Sequence, residues 1–319
     1  MVAPLEIFRA LADPTRLRIF VLLRAMELSV GELAQVLGQS QPRVSRHVKI
    51  LADAGLAARR KEGSWVFLGL GDETDVAPIL GALDIWQKGH VDHWQTADAA
   101  RLAAVRADRA AAAERYFDQH AEQWDAIRSL YVAETEVEAA MRALLAGRRI
   151  GRLVDIGTGT GRMIALFGHE ADSALGVDRS PQMLRLARAK LAEAGLGAAE
   201  LRQGDMYELP LPDGSADTVI LHQLLHFAQM PEAAIAEAAR LLAEGGRLMI
   251  ADFASHEREE LRTDDAHARL GFADEQIRHW FAEAGLQTEA IEELKGGELT
   301  VKLWLGHRSG EKAIQRKAA

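Results

Sequence analysis

Asp155, Gly157, Gly159 and Gly161 stand in the run VDIGTGTGR, residues 154–162, and no other stretch of the chain combines residue types and spacing so suited to chemistry. An apolar strand that runs into an acidic residue and then alternating glycines predicts a tight turn. Glycine there adopts backbone conformations closed to other residues and lets a ligand approach the amides of a helix beginning near Arg162. The pattern suits a nucleotide cofactor, and by itself leaves nicotinamide, flavin and sulfonium cofactors open. The surroundings separate them. The spacing is GTGTG rather than the GxGxxG that seats a pyrophosphate, and no Arg or Lys cluster accompanies it. Asp178, ending the next strand pattern, is placed to accept both hydroxyls of a ribose. In GDM, residues 204–206, Asp205 can accept from an adenine amino group while Met206 stacks on the ring.

These residues need a sheet to hold them, and the sequence from Arg152 supplies one. Strand patterns RLVDIG, SALGVD, AELRQGD, DTVILH and GGRLMIADF alternate with helical segments, and QTEAIEEL and ELTVKLWL follow. Alternation of this kind predicts an α/β Rossmann-like domain, a mostly parallel sheet covered by helices with its ligand at the carboxyl ends of the strands. The last two strands have no helix between them, so one of them is expected to be antiparallel.

The 319 residues exceed one ordinary core, so two domains are expected. With 48% hydrophobic residues, 27% charged and no apolar run near the roughly 18 needed to span a bilayer, the composition is that of a globular protein. Glu6, Arg9, Asp13 and Arg16 interrupt the first apolar residues, so no secretory leader pattern opens the sequence and a cytoplasmic address is expected. The absence of cysteine excludes disulfides, thiolate metal sites and cysteine nucleophiles together. Charge is unevenly distributed. Residues 1–70 carry ten Lys or Arg against six Asp or Glu, and the remainder 28 against 41, an asymmetry expected of a DNA-binding head on an acidic body.

Helical periodicity in that head runs through PLEIFRAL, TRLRIFVLL, SVGELAQVL and QPRVSRHVKILADAGL. Pro14 and Pro42 stand at helix starts, Ser29 and Ser40 at N-cap positions, and Gly38 and Gly55 at helix ends. Then AARRKEGSWVFLGL predicts a hairpin wing. On the fourth helix Val44, Val48 and Leu51 form the apolar stripe. That leaves Ser40, Gln41, Arg43, Ser45, Arg46, His47 and Lys49 for a major groove, with Arg59, Arg60 and Lys61 on the wing for the backbone.

These segments, LADPTRLRIFVLL, ELAQVLGQSQPRVSRHVKILADAGL and RRKEGSWVFL, resemble the ArsR/SmtB winged helix-turn-helix repressors over about 70 residues. The resemblance implies homodimers on pseudo-palindromic double-stranded operator DNA. It also implies that protomers pair through terminal helices, for which the Pro-poor run from about Asp75 to Arg115 is suited. Many members sense metal through cysteines that are missing here. A second type uses Asp and His on the fifth helix, and His90, Asp92 and His93 are the weak equivalents.

The second half resembles the class I S-adenosylmethionine-dependent methyltransferases, of the ubiquinone/menaquinone-biosynthesis type, over about Tyr116 to His307. The carrying segments are YFDQHAEQWD, VDIGTGTGR, GVDRSPQML, GDMYELPLPDGSADTVILHQLLHF and ARLLAEGGRLMIADF. The resemblance implies that Gly157, Thr158, Gly159 and Gly161 wrap the amino-acid end of S-adenosylmethionine or S-adenosylhomocysteine, that Asp155 before them is also a cofactor-binding residue, and that Asp178 holds the ribose. By the same resemblance Arg179 and Met183 flank the adenine, Asp205 and Met206 fix its edge, and His222 lies near the sulfonium. The Asn/Asp-Pro-Pro-aromatic grip of base-methylating enzymes is absent, and LHQLLHF stands in its place. The missing cysteines disfavour arsenite and cytosine-C5 chemistry. A small-molecule methyl acceptor would then meet the segment after GGRLMIADF, where Asp252, His256, His267 and Arg269 could serve as base, metal ligands or anion binders.

The expected organisation is a winged helix over 1–72, a helical dimerisation segment over 73–115, a methyltransferase domain over 116–307 and a basic tail over 308–319. Its expected function is a DNA-binding regulator, and no membrane partner is expected. Cofactor or product would tune operator affinity by shifting the pairing of the long helices, with methionine and one-carbon genes as natural targets. The alternative is a working methyltransferase of a small metabolite whose winged helix controls its own gene.

Overall fold

The computed structural model describes residues 3–62, 65–87, 93–120, 133–295 and 298–309. The chain divides into two units, Met1–Ala111 and Ala112–Ala319.

The first unit begins with α1 (Pro4–Leu11), α2 (Pro14–Ala25), the two-residue strand β1 (Leu28–Ser29), α3 (Val30–Leu37) and α4 (Gln41–Asp53). Strands β2 (Ala57–Glu62) and β3 (Trp65–Leu70) follow, then α5 (Glu73–Gln87) and α6 (His93–His120), whose last residues belong to the second unit. The helix ends have local causes. Asp13 caps α2 by accepting the amides of Thr15 and Arg16 at 2.9 and 3.0 Å. Ser29 and Glu32 form a reciprocal capping box on α3, and Gly38 ends that helix with φ 64°. Ser40 holds the N-cap position of α4, but its side chain makes no capping hydrogen bond. The wing is a hairpin, as the sequence predicts, with Ala57 opposite Leu70. It is also the larger part of a three-stranded sheet, because β1 pairs with the far edge of β3. A two-residue strand is too short to leave a period-2 pattern, so only the pairing reveals it. Ile19, Phe20, Leu33, Val44, Leu51, Leu56 and Leu68 fill the core.

In the second unit α7 (Glu134–Leu145), which the sequence reading did not single out, precedes β4 (Gly151–Ile156), α8 (Arg162–Phe167), β5 (Ala171–Asp178), α9 (Pro181–Glu193) and β6 (Glu200–Gln203). Then come β7 (Ala216–His222), a 3-10 turn (Leu225–Phe227), α10 (Pro231–Leu241), β8 (Leu242–Phe253), α11 (Glu260–Asp264), α12 (Asp274–Glu283), β9 (Leu286–Lys295) and β10 (Thr300–Arg308). The sheet order is β6-β5-β4-β7-β8-β10-β9. Strand β10 runs antiparallel to both β8 and β9, while β4, β5, β6, β7 and β8 pair in parallel. The expected α/β Rossmann-like fold with one reversed strand is present.

Both faces of the sheet are buried, which is why its central strands read as continuous apolar runs. Val154, Ile156, Val219, Leu221, Leu248, Ile250 and Trp304 pack with Ile235 of α10 and Ile277 and Phe281 of α12. Leu153, Ile220, Met249, Leu303 and Leu305 pack on the other side with Val137 and Met141 of α7 and Met163 and Phe167 of α8. Among the described residues no helix is long and apolar enough to cross a membrane.

Candidate functional sites

On α4 the period of the helix sorts the side chains. Val44, Val48 and Leu51 are buried, and Gln41, Arg43, Ser45, Arg46 and Lys49 are exposed, as is the N-cap Ser40. His47 departs from that set: it is half-buried, with Nδ1 3.7 Å from Asp13 Oδ1, so it lies against the cap of α2. The wing divides the same way by the period of a strand. Arg59 and Lys61 are exposed, while Arg60, on the opposite face, donates from Nη2 to Glu27 Oε2 at 2.7 Å and lies with its guanidinium 5.2 Å from the Phe67 ring centre. The outward cations are therefore Arg43, Arg46, Lys49, Arg59 and Lys61, and Arg60 braces the root of the wing. His90 and Asp92, two of the metal candidates, lie outside the described residues, as does the side chain of His93. Residues 310–319 of the basic tail lie outside them too.

At the carboxyl end of β4 the chain turns through Gly157, Gly159 and Gly161 with φ of 72°, 52° and 83°, into α8. The amides of Gly157 and Thr158 both donate to Val177 O of β5, at 2.8 and 3.0 Å. A Cβ on Gly157 would stand 2.6 Å from Leu224 Cδ1, so a side chain there would have to push the leucine aside as well as strain φ. Buried Asp155 and Thr158 engage each other, the Thr158 hydroxyl donating to Asp155 Oδ2 at 2.6 Å. Both therefore brace the turn from within. Arg162, opening α8, donates from Nη2 to Glu138 Oε2 of α7 at 2.8 Å and ties that helix to the turn.

Asp178 closes β5 beside this turn. Its Oδ2 accepts the Gly159 amide and its Oδ1 the Ser180 amide, each at 2.8 Å. These two bonds fix the carboxylate at the rim of the turn. Three glycines at positive φ and a carboxylate fixed at their rim fit an adenosyl cofactor. Ser180 caps α9, its hydroxyl accepting the Met183 amide at 3.2 Å. Arg179 is exposed, whereas Met183 is buried against Tyr116 and Phe227. Exposed Asp205 accepts the Tyr207 amide at 3.1 Å, and half-buried Met206 packs on the sheet core. His222, the last residue of β7, is buried.

One pair escaped the sequence reading. His226, in the 3-10 turn after β7, has Nδ1 2.7 Å from Asp252 Oδ1, and the two side chains are 3% and 0% exposed. Asp252 Oδ1 also accepts the Phe253 amide at 2.8 Å. The histidine lies in LHQLLHF and the aspartate in IADF, 26 residues apart, so only the parallel pairing of β7 with β8 joins them. Two of the other three candidates from the acceptor segment lie close to this pair or brace it. The His267 ring centre is 4.3 Å from that of His226, and buried Arg269 donates from Nη2 to Gln229 O at 2.6 Å. Burial pushes the His267 pKa far down, and the nearby His226, His256 and Arg262 push it further, so this imidazole is neutral. Its Nδ1 finds no hydrogen-bond partner among the described residues. Half-buried His256 uses Nδ1 to accept the Arg258 amide at 3.2 Å. Among the described residues no group of His, Asp or Glu is arranged to hold a metal ion.

Comparison with known proteins separates the two halves in the same way. A family model described as a bacterial regulatory protein of the arsR family matches residues 13–59, and one described as a methyltransferase domain matches residues 154–250. The arsenic resistance transcriptional regulator ArsR1 of Pseudomonas putida is 39% identical over 109 residues, which are 33% of this chain and 81% of that protein. Phosphatidylethanolamine N-methyltransferase of Cereibacter sphaeroides is 40% identical over 103 residues, 32% of this chain and 50% of that protein. The chain thus spans about half the length of that methyltransferase. A solved structure from Bacillus halodurans, described as that of a candidate methyltransferase, superposes with a TM-score of 0.50 at 17% identity. It covers 55% of this chain and 99% of the other, a likeness of fold alone.

Proposed function

We propose a function that proceeds from the family: the chain belongs to the arsR family of bacterial regulatory proteins, and it combines that DNA-binding module with a methyltransferase-fold domain. In this reading it is a homodimeric transcription regulator that binds S-adenosylmethionine or S-adenosylhomocysteine in its second half. The ligand sets its affinity for operator DNA, with genes of methionine and one-carbon metabolism as targets. Residues 1–72 read DNA, 73–115 pair the protomers, and 116–307 hold the cofactor.

One observation carries the reading. Asp178 is bonded at once to the Gly159 amide of the glycine turn and to the Ser180 amide that opens α9, which is the rigid geometry a ribose and its adjoining chain require. The cofactor, when bound, supplies a sulfonium methyl group to a nucleophile. Gly157, Gly159 and Gly161 line its amino-acid end, Asp178 takes the ribose, and Arg179, Met183, Asp205 and Met206 border the adenine. Arg43, Arg46, Arg59 and Lys61 meet the DNA. Regulation requires that the ligand bind the DNA-competent and DNA-incompetent forms with different affinity.

Calorimetric titration with each compound, with and without the DNA upstream of the protein's own gene, tests this. The expected result is binding that Asp178→Ala weakens by about 30-fold, the scale of lost charge-assisted hydrogen bonds. The dissociation constant should also differ between free and DNA-bound protein. Equal affinity in both states removes the sensor. A second reading, turnover of a small acceptor, is favoured by the buried His226–Asp252 pair at the same edge of the sheet.

A further inference from the structure

The His226–Asp252 pair lies between elements that make the cofactor turn. Leu224, two residues before His226, is the side chain that a Cβ on Gly157 would meet. Phe227, the next residue, packs on Met183 in the first turn of α9, just beyond Asp178. Asp252 is the penultimate residue of β8, beside the carboxyl end of β7. A carboxylate only accepts, so the hydrogen shared at 2.7 Å belongs to His226 Nδ1, and in the neutral ring the lone pair is then on Nε2. Apolar residues of the same volume often stabilise a fold as well as a buried pair of this kind does, and the amides of His226 and Phe253 hold the Asp252 carboxylate in place.

His267 supplies a second, independent observation. It is a buried neutral imidazole with an unsatisfied Nδ1, its ring 4.3 Å from that of His226. Buried polar atoms are normally satisfied, and one left open beside a reactive edge of the sheet fits an oxygen brought by a ligand. Aromatic rings surround the pair: Phe227 at 4.0 Å and Phe253 at 4.9 Å from His226, with Phe253 stacked on His267 at 5.7 Å.

We propose that His226, oriented by Asp252, accepts the proton of a phenolic hydroxyl as that hydroxyl is methylated, and that His267 Nδ1 holds the hydroxyl oxygen. The inference rests on the cofactor reading above. An imidazole base matches an aromatic O–H, whereas an aliphatic alcohol is too weak an acid and a neutral amine attacks before it loses its proton. A lone pair on the hydroxyl oxygen bonds to the sulfonium methyl carbon, and the carbon–sulfur bond breaks with its pair going to sulfur. The O–H proton passes to His226 Nε2. The products are an aryl methyl ether, S-adenosylhomocysteine and an imidazolium paired with Asp252, which then releases its proton to water.

The test uses the full chain with methyl-labelled S-adenosylmethionine and two acceptors, phenol and the stronger acid 4-nitrophenol, at a pH where only the second is already an anion. Cofactor affinity is measured in parallel by calorimetry. His226→Gln is expected to keep that affinity, to lose about 1000-fold in kcat on phenol, and to lose about tenfold on 4-nitrophenol, which needs no base. Asp252→Asn should give the same pattern at smaller amplitude, as a positioning residue would. Equal losses on both acceptors with cofactor still bound would assign the pair a structural role and overturn the proposal. Bound cofactor with neither acceptor methylated by the parent protein would overturn it too, and would leave the cofactor reading standing. Absence of cofactor binding in the parent would remove that reading first, and this one with it.

Discussion

On α4 the groups facing outward are side chains, with Arg43, Ser45, Arg46 and Lys49 exposed and only Val44, Val48 and Leu51 holding the helix down. In the turn after β4 the path of the backbone sets the shape: the amides of Gly157, Thr158 and Gly159 are tied to Val177 O and Asp178, and the side chains of Asp155 and Thr158 are buried. A surface of side chains tolerates substitution without loss of fold, because each projects independently into solvent. A site shaped by the backbone has no such margin, since its form is the path of the chain. Binding and stability should therefore separate in the first unit and move together in the second.

The largest expected effect tests the second half of that statement. Gly157→Ala places a Cβ on a φ of 72° and against Leu224, a strain of about 3 kcal/mol that the turn and the Leu224 side chain must share, and so predicts about a 100-fold loss of cofactor affinity with a lower melting temperature. Leu224→Ala in the same chain should restore part of it, because space returns while φ does not. Calorimetry and thermal unfolding read both.

The next effect is pH-dependent. His267 has its pKa depressed in the fold, first by burial and then by His226, His256 and Arg262 nearby, so it stays neutral where an unfolded His, with its ordinary value of 6.5, takes up a proton. The unfolded chain then binds more protons below that value. Stability of the second unit should fall by about 1.4 kcal/mol per pH unit on acidification below 6.5 from this group. His267→Gln should flatten that slope in denaturant titrations between pH 6.5 and 5; an unchanged slope places the burial elsewhere.

Arg43→Ala and Arg46→Ala should each weaken binding to an operator selected from random DNA by about tenfold, while the melting temperature holds. For each phosphate contact removed, the slope of log affinity against log salt should become shallower by about one. Arg60→Ala sharpens the comparison, since it removes the brace to Glu27 and should cost stability of the wing along with DNA affinity.

Asp13→Ala carries the smallest effect, about 1 kcal/mol for a lost N-cap. Burial raises the Asp13 pKa, but the Arg16 amide, the charges of His47 and Arg16, and the Thr15 amide outweigh it and leave the value below the usual 3.8. Its contribution is complete above pH 3.8 and disappears as the pH falls through the lowered value. Acid unfolding curves of parent and variant should converge there.

Much of this was legible in the residues, and where it was not the cause is distance along the chain. The glycine turn, the carboxylate ending β5 and the apolar stripe of α4 are patterns within about ten residues, where backbone geometry and side-chain period act directly. Helix face and wing position alone put Arg60 and His47 among the DNA-facing residues. Their pairings with Glu27 and Asp13 come from segments some 30 residues away. His226 was passed over because half of its meaning lies in Asp252.

The amino-acid sequence by itself determined where helices start and stop, which strands are buried on both faces, and that glycine must stand at 157, because caps, periodicity and φ are local properties. Only the tertiary structure decided that β10 enters the sheet between β8 and β9, that Asp178 bridges two amides from different loops, and that His226 meets Asp252 under a neutral His267. Those outcomes depend on which carboxyl ends lie side by side. Strand order sets that, and it follows from packing the sheet's two apolar faces against their helices.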